Sequence, residues 1–324
     1  PTDTQRLLER VAYHGIAGLL FERAAQLHGW PQSVLDALRG QTIATTMWEM
    51  RHKLVLSDLL GSFAEANIQP LILKGSAFAY DLYVNPASRS RGDSDLLIAL
   101  QDLPRARELL ASQGYQLTSE EHDHHEHLDD LQLQELWELF AEDGSSHTID
   151  LHWQALNSLA LQGLFDYHEC VAQALPLPRL HPAARGMDRP QALLHACLHR
   201  AQHISSPYIV NRVTYYGGDR LIWAHDFHLL AASLSAQEWQ QLCQLALAGG
   251  CAGVCLNGLE IAQARLGSEV PAQVLERLRA VPAEAATRYL LGGRQVRRTL
   301  MDLRAIPGLS RKLRFISMRL FPSA

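Results

Sequence analysis

The sequence lacks a long apolar run. Its 324 residues never approach the eighteen or so uninterrupted apolar residues that a membrane-spanning helix needs, and the nearest stretch, residues 245–256, is short and rich in glycine and alanine. The N-terminal letters PTDTQRLLER show no basic start followed by an apolar core, so no signal peptide is indicated. These absences predict a soluble protein that stays in the cytoplasm.

Cysteine is scarce and scattered. Five cysteines are too few and too widely spaced for a disulfide framework. Cys251 and Cys255 suit one face of a helix, but nothing nearby completes a zinc site. We therefore expect structural thiols in a reducing compartment.

The net charge is slightly negative but unevenly distributed. A formal charge of −5 disfavours a long nucleic acid as the main partner, without excluding one. Residues 277–324 nevertheless contain 11 Lys and Arg against 2 acids, and Leu309, Leu313, Ile316 and Leu320 form one stripe there. A basic amphipathic helix of this kind either contacts a membrane surface or packs on the protein and directs its arginines to substrate phosphates.

Apolar spacing divides the chain into three parts. Residues 1–66 show the three- and four-residue spacing of helices. Residues 67–155 contain short strand-like runs and a hairpin pattern, whereas residues 156–324 are helical in pattern to the end. The sequence predicts an α+β protein, in which a small mixed sheet with flanking helices lies between a helical N-terminal segment and a helical C-terminal domain.

Two aspartates begin one of the predicted strands. Asp93 and Asp95 flank Ser94, and side chains two apart on a strand point to the same face. The apolar run after them anchors the strand in a core. Carboxylate oxygens are ligands that Mg²⁺ prefers, and two such ions serve phosphoryl and nucleotidyl transfer. This pair is the first candidate metal site.

A glycine–serine pair precedes the aspartates. Gly75 and Ser76 follow a short apolar run and begin a predicted helix, where backbone amides and a hydroxyl can hold phosphates. Lys74 adds a positive charge beside them. Sixteen residues separate Ser76 from Asp93. If the two motifs are unrelated, the phosphate site fails while the Asp pair survives.

Together these motifs resemble the DNA polymerase β-like nucleotidyltransferase superfamily. More closely, Leu73-Lys74-Gly75, Arg89 and Asp93-Ser94-Asp95-Leu96-Leu97-Ile98 resemble an uncharacterised bacterial nucleotidyltransferase family with the pattern LKG…R…DxDLLV. Ile149-Asp150-Leu151-His152-Trp153 is similar to the strand of that family that carries a third carboxylate. Arg220-Leu221-Ile222-Trp223 and Leu320-Phe321-Pro322 are similar to its helical C-terminal part, so the resemblance covers most of the chain.

The resemblance implies an enzyme and a mechanism. Asp93, Asp95 and Asp150 would hold two Mg²⁺ ions, and an acceptor would attack the α-phosphorus of an NTP such as ATP, releasing pyrophosphate. Lys74, Gly75, Ser76 and Arg89 would bind the triphosphate, with His152 in a supporting position. The sequence does not identify the acceptor, but a small molecule, a sugar or a peptide suits the acidic chain better than RNA.

Three other readings remain open. His195, His199 and His203 share a helix face and, with His225-Asp226 and Asp302, follow the residue order of metal-dependent HD phosphohydrolases. The acidic segment 121–127, which holds four of the histidines, is either a solvated loop or a transition-metal site. A pseudoenzyme that binds nucleotide as a scaffold is the third, although the three intact aspartates argue against it.

Overall fold

Helices occupy the first part of the chain. The computed structural model describes residues 3–118, 131–141, 144–204, 207–210, 213–216, 218–282, 284–292 and 295–320. The first helices are α1 (Asp3–His14), α2 (Ala17–Glu22) and α3 (Gln32–Glu65). The last turns of α3 bury Leu56, Leu60 and Phe63 in the main core, so this 34-residue helix packs along the sheet. Predicted helices in this region are confirmed.

A seven-stranded mixed sheet carries the rest of the core. In chain order its strands are β1 (Leu71–Leu73), β2 (Asp93–Leu97), β3 (Gln116–Leu117), β4 (Gln134–Phe140), β5 (Ser146–His152), β6 (Leu175–Pro176) and β7 (Arg185–Gly186). Their spatial order is β3-β4-β5-β2-β1-β7-β6. The central strand β2 runs antiparallel to β1 and parallel to β5. The mixed α+β class predicted from the sequence is confirmed.

The connections of the sheet explain its apolar strands. Helix α4 (Lys74–Asp81) follows β1 directly, and α5 (Leu103–Ser112) follows β2. Both helices contribute to the same core as the strands, so Leu71, Ile72, Leu96 and Leu97 are almost fully buried. Continuous apolar runs such as these are expected in strands that are covered by helices.

Helices dominate after the hairpin of β4 and β5. They are α6 (Tyr167–Ala172), α7 (Arg189–His203), α8 (Leu221–Ser233), α9 (Ala236–Ala248), α10 (Ala252–Leu266), α11 (Ala272–Arg279), α12 (Ala285–Leu290), α13 (Gln295–Ala305) and α14 (Leu309–Leu320). The expectation of a purely helical pattern here is wrong in two places. Strands β6 and β7 extend the sheet, and β8 (Pro207–Val210) pairs with β9 (Val213–Tyr216).

The proline-rich stretch before α7 illustrates why the short strands were missed. Within this stretch, Leu175 and Pro176 pair with β7 at the outer edge of the sheet. Proline is tolerated on an edge strand because no neighbour there needs its missing amide hydrogen. A two-residue strand depends on pairing partners that are distant in sequence.

Two further observations concern the whole chain. All five cysteines are free and buried, as expected of structural thiols. None of the helices in the ranges listed above has both the length and the apolar character needed to cross a membrane. The histidine-rich segment 121–127 lies outside the described residues.

Candidate active site

Two parallel strands bring the acidic residues together. The register of β2 and β5 places Asp95 opposite Asp150 and Leu97 opposite His152. Because neighbouring strands lie about 4.8 Å apart, two carboxylates in register share one face of the sheet. Asp93 is two residues before Asp95 on that face and lines the same cavity. The predicted convergence of the Asp93 and Asp95 pair with Asp150, which is distant in sequence, is therefore present.

Three of these side chains can form one metal-binding group. One ligand atom from each of Asp95, Asp150 and His152 lies within 4.8 Å of the other two. Asp93 is exposed to the cavity and does not belong to this group of three. Asp150 Oδ1 and His152 Nδ1 are buried without a hydrogen-bond partner. Since buried polar atoms are normally paired, the unpaired Asp150 oxygen and the oxygen-rich donor set fit a divalent cation.

Lys74 supplies the positive charge at the centre of the site. Its ammonium nitrogen lies 2.5 Å from Asp95 Oδ1, and His152 Nε2 lies 3.0 Å from the same oxygen. The backbone of Lys74 has φ of 49°, a left-handed conformation that is uncommon outside glycine. Such backbone strain is concentrated at functional sites. Here it accompanies the junction of β1 and α4, from which the Lys74 side chain reaches the carboxylates.

The surroundings shift the pKa values of these groups in opposite directions. Burial raises the pKa of Asp150 to about 7, and the charges of Asp95 and Asp93 add to the effect. For Asp95, burial also acts upward, but the Lys74 ammonium and the hydrogen bond from His152 hold its pKa well below the usual value. Burial lowers the pKa of His152, so its imidazole is neutral at pH 7. Two neighbouring acids in one site thus differ strongly in acidity, a pattern common at functional sites.

The predicted phosphate turn is only partly at the cavity. Gly75 lies in the cavity wall at the start of α4, as expected. The Ser76 hydroxyl is buried, lies 2.7 Å from Ser94 Oγ, and accepts a hydrogen bond of 2.8 Å from Arg91 Nε. It thus contacts the back of β2, and the structure does not bring it into the cavity.

Arg89 also has partners within the protein. Its Nε donates to Asp226 Oδ1 at 2.9 Å, its Nη2 donates to Asp226 Oδ2 at 2.7 Å, and Nη1 donates to the Ser90 carbonyl. The guanidinium lies in the cavity wall. This buried pair joins the sheet to α8, so the arginine has a structural contact that the sequence did not reveal.

Sequence reasoning missed a buried polar chain behind β2. His52 Nε2 of α3 lies 2.7 Å from Ser94 Oγ, and Ser94 contacts Ser76. From Ser76 the chain continues to Arg91, whose Nη2 donates to Glu49 Oε1 at 2.8 Å. Arg91 also lines the cavity. The sequence signal that could have identified Arg91 is the alternation Arg89-x-Arg91-x-Asp93-x-Asp95, which places two arginines just before the two aspartates.

The opposite wall of the cavity is helical. The cavity has a volume of about 530 Å³. Besides the sheet residues above, it is lined by His195, His199 and His203 of α7 and by Trp223 and Arg220 at the start of α8. The histidine stripe therefore faces the carboxylates, a proximity that no sequence motif indicated.

The structure does not assemble the HD phosphohydrolase arrangement. His195 Nε2 lies 2.7 Å from the Ala155 carbonyl oxygen, Asp226 binds Arg89, and Asp302 accepts a hydrogen bond from Tyr289. Within the described residues, the group of Asp95, Asp150 and His152 is the one cluster of three metal-capable side chains. The histidines and aspartates that follow the HD phosphohydrolase order in the sequence thus do not form one metal site.

A known family matches most of the chain. The model of a family described as "Uncharacterised nucleotidyltransferase" matches residues 1–267. The match ends next to the last residue of α10, so it contains the whole sheet and both walls of the cavity. No curated protein is significantly similar to the chain.

Proposed function

The chain belongs to the uncharacterised nucleotidyltransferase family, and from that premise we propose that it moves a nucleoside monophosphate from an NTP to an acceptor, with Mg²⁺ and release of pyrophosphate. The acceptor oxygen bonds to the α-phosphorus while the bond to the leaving pyrophosphate breaks. We place the reaction in the cytoplasm, which the five free cysteines support.

One observation carries this proposal. Asp95 and Asp150 lie in register on parallel strands, with a buried carboxylate oxygen of Asp150 left without a hydrogen bond. In the proposed site Asp93, Asp95 and Asp150 hold the metal ions. Bound Mg²⁺ stabilises negative charge on the attacking and leaving oxygens of an in-line displacement.

The chain's own side chains have distinct tasks in this proposal. His152 orients the Asp95 carboxylate through the 3.0 Å contact to Oδ1. Lys74 and the amide of Gly75 contact the phosphates, because both lie in the cavity wall at the start of α4. Ser76 and Arg89 take part indirectly, Ser76 by supporting Arg91 and Arg89 by fixing α8 against the sheet.

The acceptor is proposed to be a small molecule, a sugar or a peptide. The net charge of −5 gives no general attraction to a nucleic acid backbone. Phosphate contacts dominate the affinity of most nucleic-acid-binding proteins, so a chain of this charge is better suited to a compact acceptor.

A second contact is proposed at the C-terminal end. In α14, Leu309, Leu313 and Ile316 are exposed on one stripe, while Phe315 on the other side is buried. Arg311, Lys312 and Arg314 lie on the same helix. An exposed apolar stripe with basic neighbours suits the surface of an anionic membrane.

Incubation with each of the four α-labelled NTPs, Mg²⁺ and cell extract tests the transfer. We expect label on an acceptor with the wild type and a loss of at least a hundredfold with the double variant Asp93→Ala/Asp95→Ala, since both substitutions remove proposed metal-binding carboxylates. Asp36→Asn is the matched control, because Asp36 is an exposed acid of α3. Equal labelling by wild type and the double variant would contradict the proposed catalysis, and binding of MgATP without any transfer would favour the scaffold reading.

A further inference from the structure

The cavity has two walls of different chemistry. The sheet wall holds most of the charged groups, among them Lys74, Arg91 and the aspartates, while Arg220 lies on the opposite wall. The wall formed by α7 and α8 presents the imidazoles of His199 and His203 and the indole of Trp223. One side of the cavity thus suits phosphates and cations, and the other suits an uncharged ring.

The two imidazoles form a supported pair. His199 and His203 are one helical turn apart on α7, and their ring centroids are 4.4 Å apart. The Trp223 ring stands edge-on to His199, with centroids 6.1 Å apart, and the Arg220 guanidinium lies 5.7 Å from the Trp223 ring centroid. Trp223 and Arg220 therefore back the imidazoles and restrict their positions.

The imidazoles are neutral and have hydrogen-bonding capacity to spare. Burial, with the Lys74 ammonium as the next cause, lowers the pKa of His203 to about 4 and that of His199 well below its usual value. Neither ring is hydrogen-bonded to any other residue in the described ranges, in contrast to His195, which contacts the Ala155 carbonyl. Each neutral imidazole offers one N–H donor and one acceptor nitrogen.

This division of the cavity matches the division within a nucleotide. An NTP has a polyanionic end that needs cations and metal ions, and a neutral aromatic end with alternating donors and acceptors. Proteins recognise nucleobases by ring stacking and by hydrogen bonds to the base edge. A volume of about 530 Å³ lies within the usual range for a small-molecule site.

We propose that His199 and His203 form the nucleobase subsite of the NTP, with Trp223 supporting them. The inference rests on the proposed function, because it requires the triphosphate to bind at Lys74 and the carboxylates on the opposite wall. An imidazole that stacks covers the face of the base, whereas one that lies beside the base pairs a ring nitrogen with its edge. The acceptor then approaches from another part of the cavity.

Calorimetric binding of two probes separates the two ends of the nucleotide. The probes are the Mg²⁺ complexes of inorganic triphosphate and of the α,β-methylene analogue of each NTP, in which the reacting bond cannot break. In the wild type we expect at least one analogue to bind about 10-fold or more tightly than triphosphate. In His199→Ala and His203→Ala we expect this advantage to fall by about 5- to 100-fold, since stacking on a base has that weight. Triphosphate binding should be unchanged, because a neutral ring is removed.

The outcomes distinguish this inference from the proposed function. If triphosphate does not bind the wild type with Mg²⁺, the proposed function is contradicted and the inference falls with it. If triphosphate binds but both variants keep the full advantage of the analogue, only the nucleobase subsite is overturned, and the α7 wall is left to the acceptor. If the alanine variants unfold, His199→Phe and His203→Phe retain an aromatic ring without the nitrogens, and should lose the hydrogen-bonding part of the advantage. The exposed His168→Ala is the matched control.

Discussion

The ionised form of Asp150 is unfavourable in the metal-free site. Burial and two neighbouring carboxylates raise its pKa to about 7, whereas in the unfolded chain it ionises near 3.8. Between these values the folded state holds a proton that the unfolded state has lost. The free energy of unfolding of the metal-free protein should therefore fall as the pH rises through this window. A bound cation would remove the repulsion, which is the expected behaviour of a metal ligand.

Asp150→Asn should stabilise the metal-free protein at pH 8. The amide removes the buried charge, so we expect a gain on the order of 1–2 kcal/mol, seen as roughly 2–4 °C in the midpoint of thermal unfolding. At pH 5 the folded wild-type carboxyl is already protonated while the unfolded one is still ionised, so the difference should shrink to roughly half or less, and it should vanish only below the unfolded pKa of 3.8. Thermal melts in EDTA at the two pH values measure this. Adding Mg²⁺ at pH 8 should stabilise the wild type much more than the variant.

A different result would change the assignment of Asp150. If Asp150→Asn destabilises the protein equally at both pH values, the carboxylate makes a favourable structural contact. Asp36→Asn controls for a general change in net charge, since Asp36 is exposed on α3.

At the scale of elements, the sequence was informative where the signal is local. The apolar run of β1, the acids and apolar residues of β2, and the hairpin of β4 and β5 were all predicted, because each contains its own pattern of burial. Strand β2 begins at Asp93, as predicted, and this first residue pairs with Thr148 of β5. Strands β6 and β7 were missed because two residues carry no periodicity and depend on distant partners.

The exposed apolar face of helix α14 leads to a prediction about membrane binding. The protein should sediment with vesicles that contain about one third phosphatidylglycerol, and it should sediment much less with vesicles of pure phosphatidylcholine. Leu309 and Leu313 are 73% and 58% exposed, so Leu309→Ser/Leu313→Ser should abolish sedimentation without unfolding the protein. Val84→Ser is the matched control, because Val84 is also an exposed apolar residue and is far from α14 in sequence.

Salt gives the second readout for α14. Attraction between basic side chains and anionic lipid is screened within about 10 Å at 0.1 M salt, so binding should weaken as salt is added. Binding that ignores lipid charge, or that survives removal of residues 309–324, would contradict the proposed membrane contact.

At the scale of the whole molecule, the carboxylates could be predicted but the second wall of the cavity could not. Asp93, Asp95 and Asp150 belong to strands with recognisable motifs. These carboxylates share a cavity with His199 and Trp223 only because α7 and α8 pack against the sheet. The salt bridge between Arg89 and Asp226, two residues far apart in sequence, holds α8 in that position. The three-part division at residues 66 and 155 stays a prediction, although β6 and β7 show that the sheet continues beyond the second boundary.

The number of buried histidines makes the molecule sensitive to acid as a whole. Burial is the leading cause that lowers the pKa of eight of them, namely His14, His52, His147, His152, His195, His199, His203 and His225. In the unfolded chain each titrates near 6.5, so below that pH the unfolded state binds more protons than the folded state. The free energy of unfolding must then fall as the pH falls.

We expect this loss well before most carboxylates are protonated. One pH unit below 6.5, each imidazole that stays neutral in the fold contributes about 1.4 kcal/mol, so three of them lower the stability by about 4 kcal/mol at pH 5.5. Urea denaturation between pH 8 and 5.5 measures the slope, and the Asp150→Asn background removes the opposing contribution of that acid. His195→Gln, whose amide can still reach the Ala155 carbonyl, should reduce the slope, and the exposed His168→Ala should leave it unchanged. A stability that stays level from pH 7 to pH 5.5 would show that the buried imidazoles gain protons without unfolding the protein.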